Sequence, residues 1–94
     1  MATSTTTITT TRASTYLQQL CKHFAHKVPV EFTPDRGTIT LPFGTCTLRA
    51  DNTTLTMTTI AKGDDLARME QVIGDHFARF SFRENIEVNW QKQH

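Results

Sequence analysis

From residue 30 to residue 58, apolar and polar side chains alternate in four short runs, joined by links with room only for tight turns. Val30 and Phe32 alternate with Glu31 and Thr33, and Ile39 and Leu41 with Thr38 and Thr40. Cys46, Leu48 and Ala50 alternate with Thr45, Thr47 and Arg49, and Leu55 and Met57 with Thr54, Thr56 and Thr58. A period of two belongs to a strand with one buried face. The links carry turn chemistry. In Pro34-Asp35-Arg36-Gly37 the proline presets φ, the aspartate can bond nearby backbone and the glycine accepts a positive φ; Phe43-Gly44 and Asp51-Asn52 make the next turns. Short links join antiparallel neighbours, so this region predicts a four-stranded meander with one apolar face.

Helical periodicity flanks the meander. Leu17, Leu20, Cys21 and Phe24 recur at i, i+3, i+4, i+7, which predicts a helix over about residues 13–27. Thr15 and Gln18 form a capping-box pattern, with Thr11 as an alternative cap, and Pro29 stops the helix. A second helix is expected over about residues 65–80, capped by Asp64, with Leu66, Met69, Val72, Ile73, Phe77 and Phe80 on its buried face. Gly74 inside that helix implies close approach of a neighbouring backbone. Ile86, Val88 and Trp90 alternate with Glu87 and Asn89 as a final strand. The expected fold is α+β, a two-layer sandwich with two helices on one face of an antiparallel sheet of four or five strands, in the order α-β-β-β-β-α-β. Residues 1–12 are almost all threonine and serine, and read as a disordered tail because they bury too little apolar area to offset their chain entropy. Residues 13–94 form one domain.

Composition excludes several classes of function. A net charge of +1 gives no field to steer the chain toward nucleic acid or an anionic membrane. No apolar run approaches the roughly 20 residues that span a bilayer, and the N-terminus lacks the apolar core of a signal peptide. A cytoplasmic location follows by elimination. The two cysteines, Cys21 and Cys46, fall on apolar faces and read as reduced core thiols.

The tripeptide His-Phe-Ala occurs twice, as His23-Phe24-Ala25 and His76-Phe77-Ala78, near the ends of the two expected helices. Neutral imidazoles bind zinc, iron or copper, and two packed helices can pool ligands, so His23, His26 and His76 are the candidate metal residues. Cys21, Asp75 or Glu70 could supply another ligand. His23 and His26 stand about 60° apart around the helix axis, with His26 nearly opposite the buried face. The plainer reading places His23 and His76 at the core edge, each giving a ring N–H to a carbonyl or carboxylate. Whether the two helices are neighbours is left open by the sequence. No triad or paired-carboxylate pattern is present, and Cys21 and His23 diverge on their helix by about 200°. Arg79 and Arg83 near the end of the second helix suit either ion pairing with Glu84 and capping, or contact with an anion or partner. The threonines of the open sheet face, Thr38, Thr40, Thr45, Thr47, Thr54, Thr56 and Thr58, suit solvent or a weak homodimer, with a monomer as the other option.

The chain also resembles a bacterial family catalogued as domain of unknown function 2218. The resemblance rests on Tyr16-Leu17, Leu20-Cys21-Lys22-His23-Phe24, His26-Lys27, Gly37, Pro42-Phe43-Gly44, Leu48, Ala50-Asp51, Asp75-His76, Arg79-Phe80, Phe82-Arg83-Glu84 and Trp90. It covers about residues 13–90. That family has no assigned activity. The resemblance implies a small bacterial protein, some of whose relatives are joined to, or placed beside, flavin-dependent siderophore-interacting reductases. The chain itself shows no flavin-binding pattern. The expectation is a non-enzymatic binding or accessory module linked to iron or siderophore metabolism through a reductase partner. The alternative is a metal-binding protein that uses the helix histidines for zinc or iron.

Overall fold

The computed structural model describes residues 1–93. Its sheet has six antiparallel strands in the order β2-β3-β4-β5-β1-β6. In chain order the elements are β1 (Ala2–Thr9), α1 (Ala13–Ala25), β2 (Val30–Phe32), β3 (Arg36–Leu41), β4 (Gly44–Ala50), β5 (Thr54–Ala61), α2 (Leu66–Ser81) and β6 (Gln91–Gln93). A single 3-10 turn precedes α2 (Gly63–Asp65) and another follows it (Phe82–Glu84). Both helices pack on the same face of the sheet, so the two-layer α+β arrangement read from the sequence holds, with more strands than expected.

The meander forms as its alternation predicts. Cys46, Leu48, Leu55, Met57 and Ile39 all point inward and are buried. The turn after β4 closes as an aspartate turn, in which the Asp51 carboxylate accepts from the backbone N–H groups of Thr53 (2.9 Å) and Thr54 (2.7 Å). Two glycines let the helices approach the sheet. A Cβ on Gly37 would lie 2.7 Å from Cys21 Sγ of α1. One on Gly44 would lie 2.7 Å from the Ile60 carbonyl and 2.8 Å from Met69 Cγ of α2. Each glycine therefore marks where a helix is seated.

The threonine-rich N-terminus is a strand rather than the disordered tail expected for residues 1–12. All eight residues of β1 pair with β5, from Ala2 opposite Ala61 to Thr9 opposite Thr54. Its inward positions, Ser4, Thr6 and Ile8, are buried. The Ser4 hydroxyl is accommodated because it is partnered: Ser4 Oγ and Thr59 Oγ1 share a hydrogen bond of 2.8 Å across the ladder. Threonine supplies a β-branched methyl and a hydroxyl that finds a local partner, so the strand forms with little conventional hydrophobicity.

The expected final strand also changes. Residues 86–90 form no ladder; Ile86, Val88 and Trp90 are half-buried against the core, and the segment shares a groove with Ala67, Gly74 and Ala78 of α2. Their alternation reports burial against a helix, not sheet pairing. The strand itself is β6, whose exposed residues Gln91 and Gln93 pair with Thr5 and Thr3 of β1. Gly74 faces the Trp90 indole, whose nitrogen would lie 3.6 Å from an added Cβ, so its neighbour is a side chain and not a backbone.

Helix starts differ in detail. Neither helix has a side-chain N-cap: Arg12 and Asp65 occupy the cap positions, not Thr15 or Asp64. Gln18 donates instead to Ser14 Oγ. Among the described residues, no helix is long and apolar enough to cross a membrane.

Candidate functional site

Two surfaces gather chemistry-bearing side chains. The first is the seam between α1 and α2, which are neighbours. Phe77 is fully buried and meets Tyr16 edge-on, with ring centroids 5.4 Å apart and planes at 77°. Two turns further along α1, at the rim of the seam, the His23 and His76 rings stand 5.0 Å apart. Phe24 lies 4.8 Å from His76, and Phe80 lies 5.8 Å from His23. The repeated His-Phe pair is thus one seam seen from both helices: each phenylalanine goes to the core and each histidine to its edge.

The helix itself orients His76. Its Nδ1 donates to the Val72 carbonyl at 2.7 Å, which leaves Nε2 as the free acceptor nitrogen. His23 is exposed, and its pKa is held below the ordinary histidine value. Loss of solvation is the main cause, and the neighbouring charges of His76, Arg79, Lys27 and His26 add to it. This end of the helix pair is a cationic patch that resists taking another proton.

The candidate metal residues separate. The structure brings His23 and His76 together, while His26 lies exposed at the C-cap just past α1. Among the described residues, no group of three or more histidines, cysteines, aspartates and glutamates is placed to hold a metal ion. Asp75 and Glu70 line a groove with Trp90 on another side of α2, where Glu70 Oε2 is buried with no hydrogen-bond partner. Cys21 and Cys46 are fully buried free thiols. Burial pushes the Cys21 thiol up to about 11 and the Cys46 thiol higher still, the latter also raised by Cys21. Neither thiol is available as a nucleophile at neutral pH.

The end of α2 differs from the expected ion-pair cluster. The Glu84 carboxylate accepts from Tyr16 Oη and from Thr10 Oγ1 (3.1 Å), tying the 3-10 turn after α2 to the start of α1. Thr10 Oγ1 in turn accepts from the Arg12 backbone N–H at 3.1 Å. Arg83 instead reaches over the ring of Phe82, 5.7 Å from its centroid, and that ring is 69% exposed. Asn85 closes the turn with φ 52°, a left-handed conformation that asparagine tolerates.

The second surface is the sheet face away from the helices. Register places Thr3, Thr5, Thr7 and Thr9 of β1 beside Ile60, Thr58, Thr56 and Thr54 of β5, so the threonine field extends one strand beyond the expected meander. Arg36 and Arg49 stand directly opposite each other on β3 and β4. Sequence reading placed Arg36 in a turn and missed this pairing, which only the ladder register reveals.

The model of a family described as uncharacterized protein conserved in bacteria, DUF2218, matches residues 5–91. The chain belongs to this family. Among solved structures, the NMR structure of PA4090 from Pseudomonas aeruginosa is 38% identical, with a TM-score of 0.80, covering 97% of this chain and 96% of that one. The matched residues of this DUF2218 chain take in most of β1 as well as the meander and both helices. Comparison with curated proteins finds no match.

Proposed function

We propose that this DUF2218 protein is a non-enzymatic binding or accessory module of the bacterial cytoplasm that docks a partner protein through the end of α2. The observation that carries this reading is Phe82. A phenyl ring 69% exposed, with the Arg83 guanidinium drawn over it and Arg79 exposed on the last turn of α2, has the composition of an interface anchor. An aromatic ring loses little conformational freedom on binding, and aromatic and arginine side chains are the ones enriched where an interface is desolvated. The cationic rim of Lys27 and Arg79 beside His23 favours an acidic surface on the partner.

The partner proposed first is a flavin-dependent siderophore-interacting reductase from the same bacterium, which would link the module to iron metabolism. Calorimetric titration of the purified pair checks this. Phe82→Ala is expected to weaken binding by about 2 kcal/mol or more, roughly thirtyfold, and Arg83→Glu by a similar amount. Equal affinity for wild type and both variants, or no binding of wild type, would sink the reading.

A second reading is favoured by the 5.0 Å separation of His23 and His76 and by the free Nε2 that the Val72 bond assigns to His76. These two imidazoles together form a surface site for zinc or ferrous iron, with solvent as the remaining ligands. Nitrogen-15 NMR of the histidine rings, during titration first with zinc and then with ferrous iron, should show both rings shifting together at stoichiometric metal, and His76→Ala should remove the response of His23. Rings that keep fixed tautomers and ignore the metal would end this reading.

A further inference from the structure

The open sheet face contains a groove of about 560 Å³ at the junction of β3, β4 and β5. Arg36 and Arg49 stand at one end, and Thr38, Thr47, Thr56 and Thr58 supply its hydroxyls. From these side chains and the ladder beneath them we infer that the groove is a binding site for a small oxyanion ligand, a molecule bearing a phosphate or carboxylate group. This site is separate from the α2 end and does not rest on the docking reading.

The charge arrangement carries the inference. Arg36 and Arg49 are direct cross-strand partners, so their Cβ atoms lie about 5 Å apart on one face, and like charges so placed destabilise a ladder. No acidic residue lines the groove. The one carboxylate at an outward strand position of that face, among the described residues, is Glu31 on β2, opposite Thr38; it does not line the groove but shares an adjoining hollow with Arg36, on the side away from Arg49. The carboxylates of the two nearby turns are engaged elsewhere: Asp35 Oδ1 accepts from Thr33 Oγ1 (2.7 Å) and Asp51 Oδ1 from two backbone N–H groups. Two guanidinium forks therefore face one space without a carboxylate between them. A fork fits phosphate and carboxylate oxygens in pairs, and an anion seated between the two turns their repulsion into shared attraction. Threonine hydroxyls add donors that rotate to suit the ligand. The volume lies within the range of small-molecule sites.

The rigid sheet sets the spacing of these groups. Arg49 also pairs with Thr56, and Thr47 pairs with both Thr38 and Thr58, so the lining residues stand in two adjacent rows across three strands. A site built on ladder positions needs no loop to order before the ligand enters.

The test is backbone amide NMR during titration with sodium pyrophosphate and, separately, sodium citrate, with ionic strength held constant by sodium chloride. Saturable shifts centred on Thr38, Thr47, Arg49 and Thr56 are expected with at least one of the two. Saturation by pyrophosphate alone assigns a phosphate ligand, and by citrate alone a carboxylate. Arg49→Thr places a strand-favouring residue there and is expected to weaken binding at least roughly tenfold while raising the melting temperature in sodium chloride buffer without pyrophosphate or citrate. Arg36→Gln is the second variant, with the same expected loss. Shifts that fail to saturate, that sodium chloride alone reproduces, or that both variants retain would overturn the proposal. So would shifts that follow protein concentration instead of the anion, which would make the face a contact between two copies.

Discussion

Deletion of residues 1–10 is expected to abolish cooperative folding. The purified truncated protein should lack a sigmoidal thermal transition and the dispersed amide spectrum of the full chain. The reason lies in the position of β1 between β5 and β6. Its loss strips β5 of an eight-residue ladder, leaves β6 with no neighbour and opens the core at Ile8, 3% exposed in the intact protein. It also removes Thr10 from Glu84 and leaves the buried Thr59 hydroxyl without Ser4. A domain of this size has about 5–14 kcal/mol of net stability, and losing an interior strand removes an amount of that order. Thr7→Ala on the outward face is the control, expected to change stability by no more than about 0.5 kcal/mol. A truncated protein that melts like the full chain would show that residues 1–10 add nothing to the fold.

Phe77→Ala is expected to cost about 3–5 kcal/mol in chemical denaturation, the largest effect of any single substitution named here. Phe77 is fully buried and packs edge-on against Tyr16, which is itself 1% exposed. Removing the ring leaves a cavity at the centre of the helix pair. Collapse to fill it is restricted, because the Tyr16 hydroxyl is tied to Glu84 and α1 is seated on Gly37. Phe77→Leu retains most of the volume and should cost clearly less. A loss below about 1 kcal/mol for the alanine variant would contradict the packing described.

The meander was readable because four runs alternate strongly between large apolar residues and threonine, and strands with one buried face need little else. The helices were readable for the same reason at their own period. β1 was not, because contrast is what such a reading detects. Its inward residues Ser4 and Thr6 and its outward residues Thr3, Thr5 and Thr7 have almost the same polarity. The available signal was composition: threonine is a strong strand former, and a run of it before an amphipathic domain is as compatible with a ladder as with a tail. The segment 86–90 failed in the opposite way, because real alternation there arises from packing on α2.

The candidate sites divide along similar lines. The repeated His-Phe pair lies on the helix seam, yet the sequence left helix adjacency open and so could not say that His23 meets His76 while His26 stays apart. Glu84 was grouped with the arginines beside it in the chain, whereas its partners Tyr16 and Thr10 come from the opposite end of the sequence. The arginine pair on the open face depends on strand register. One residue of slip would turn Arg49 toward the core, and only the ladder places it against Arg36.

The pairing of β1 with β5 also dictates an order of events during synthesis. β1 leaves the ribosome before either neighbour and has no partner until Thr54–Ala61 has followed it, with α1 and β2 to β4 made in between. For that interval it is an orphan strand, the kind of segment that in an aliphatic sequence seeds misassembly with other nascent chains. Built from threonine and serine, it waits as a well-hydrated segment with little tendency to collapse. It gains its value as core only when Leu55, Met57 and Thr59 arrive to meet it. The composition that hides the strand from a reader of the sequence also protects it from its neighbours in the cell.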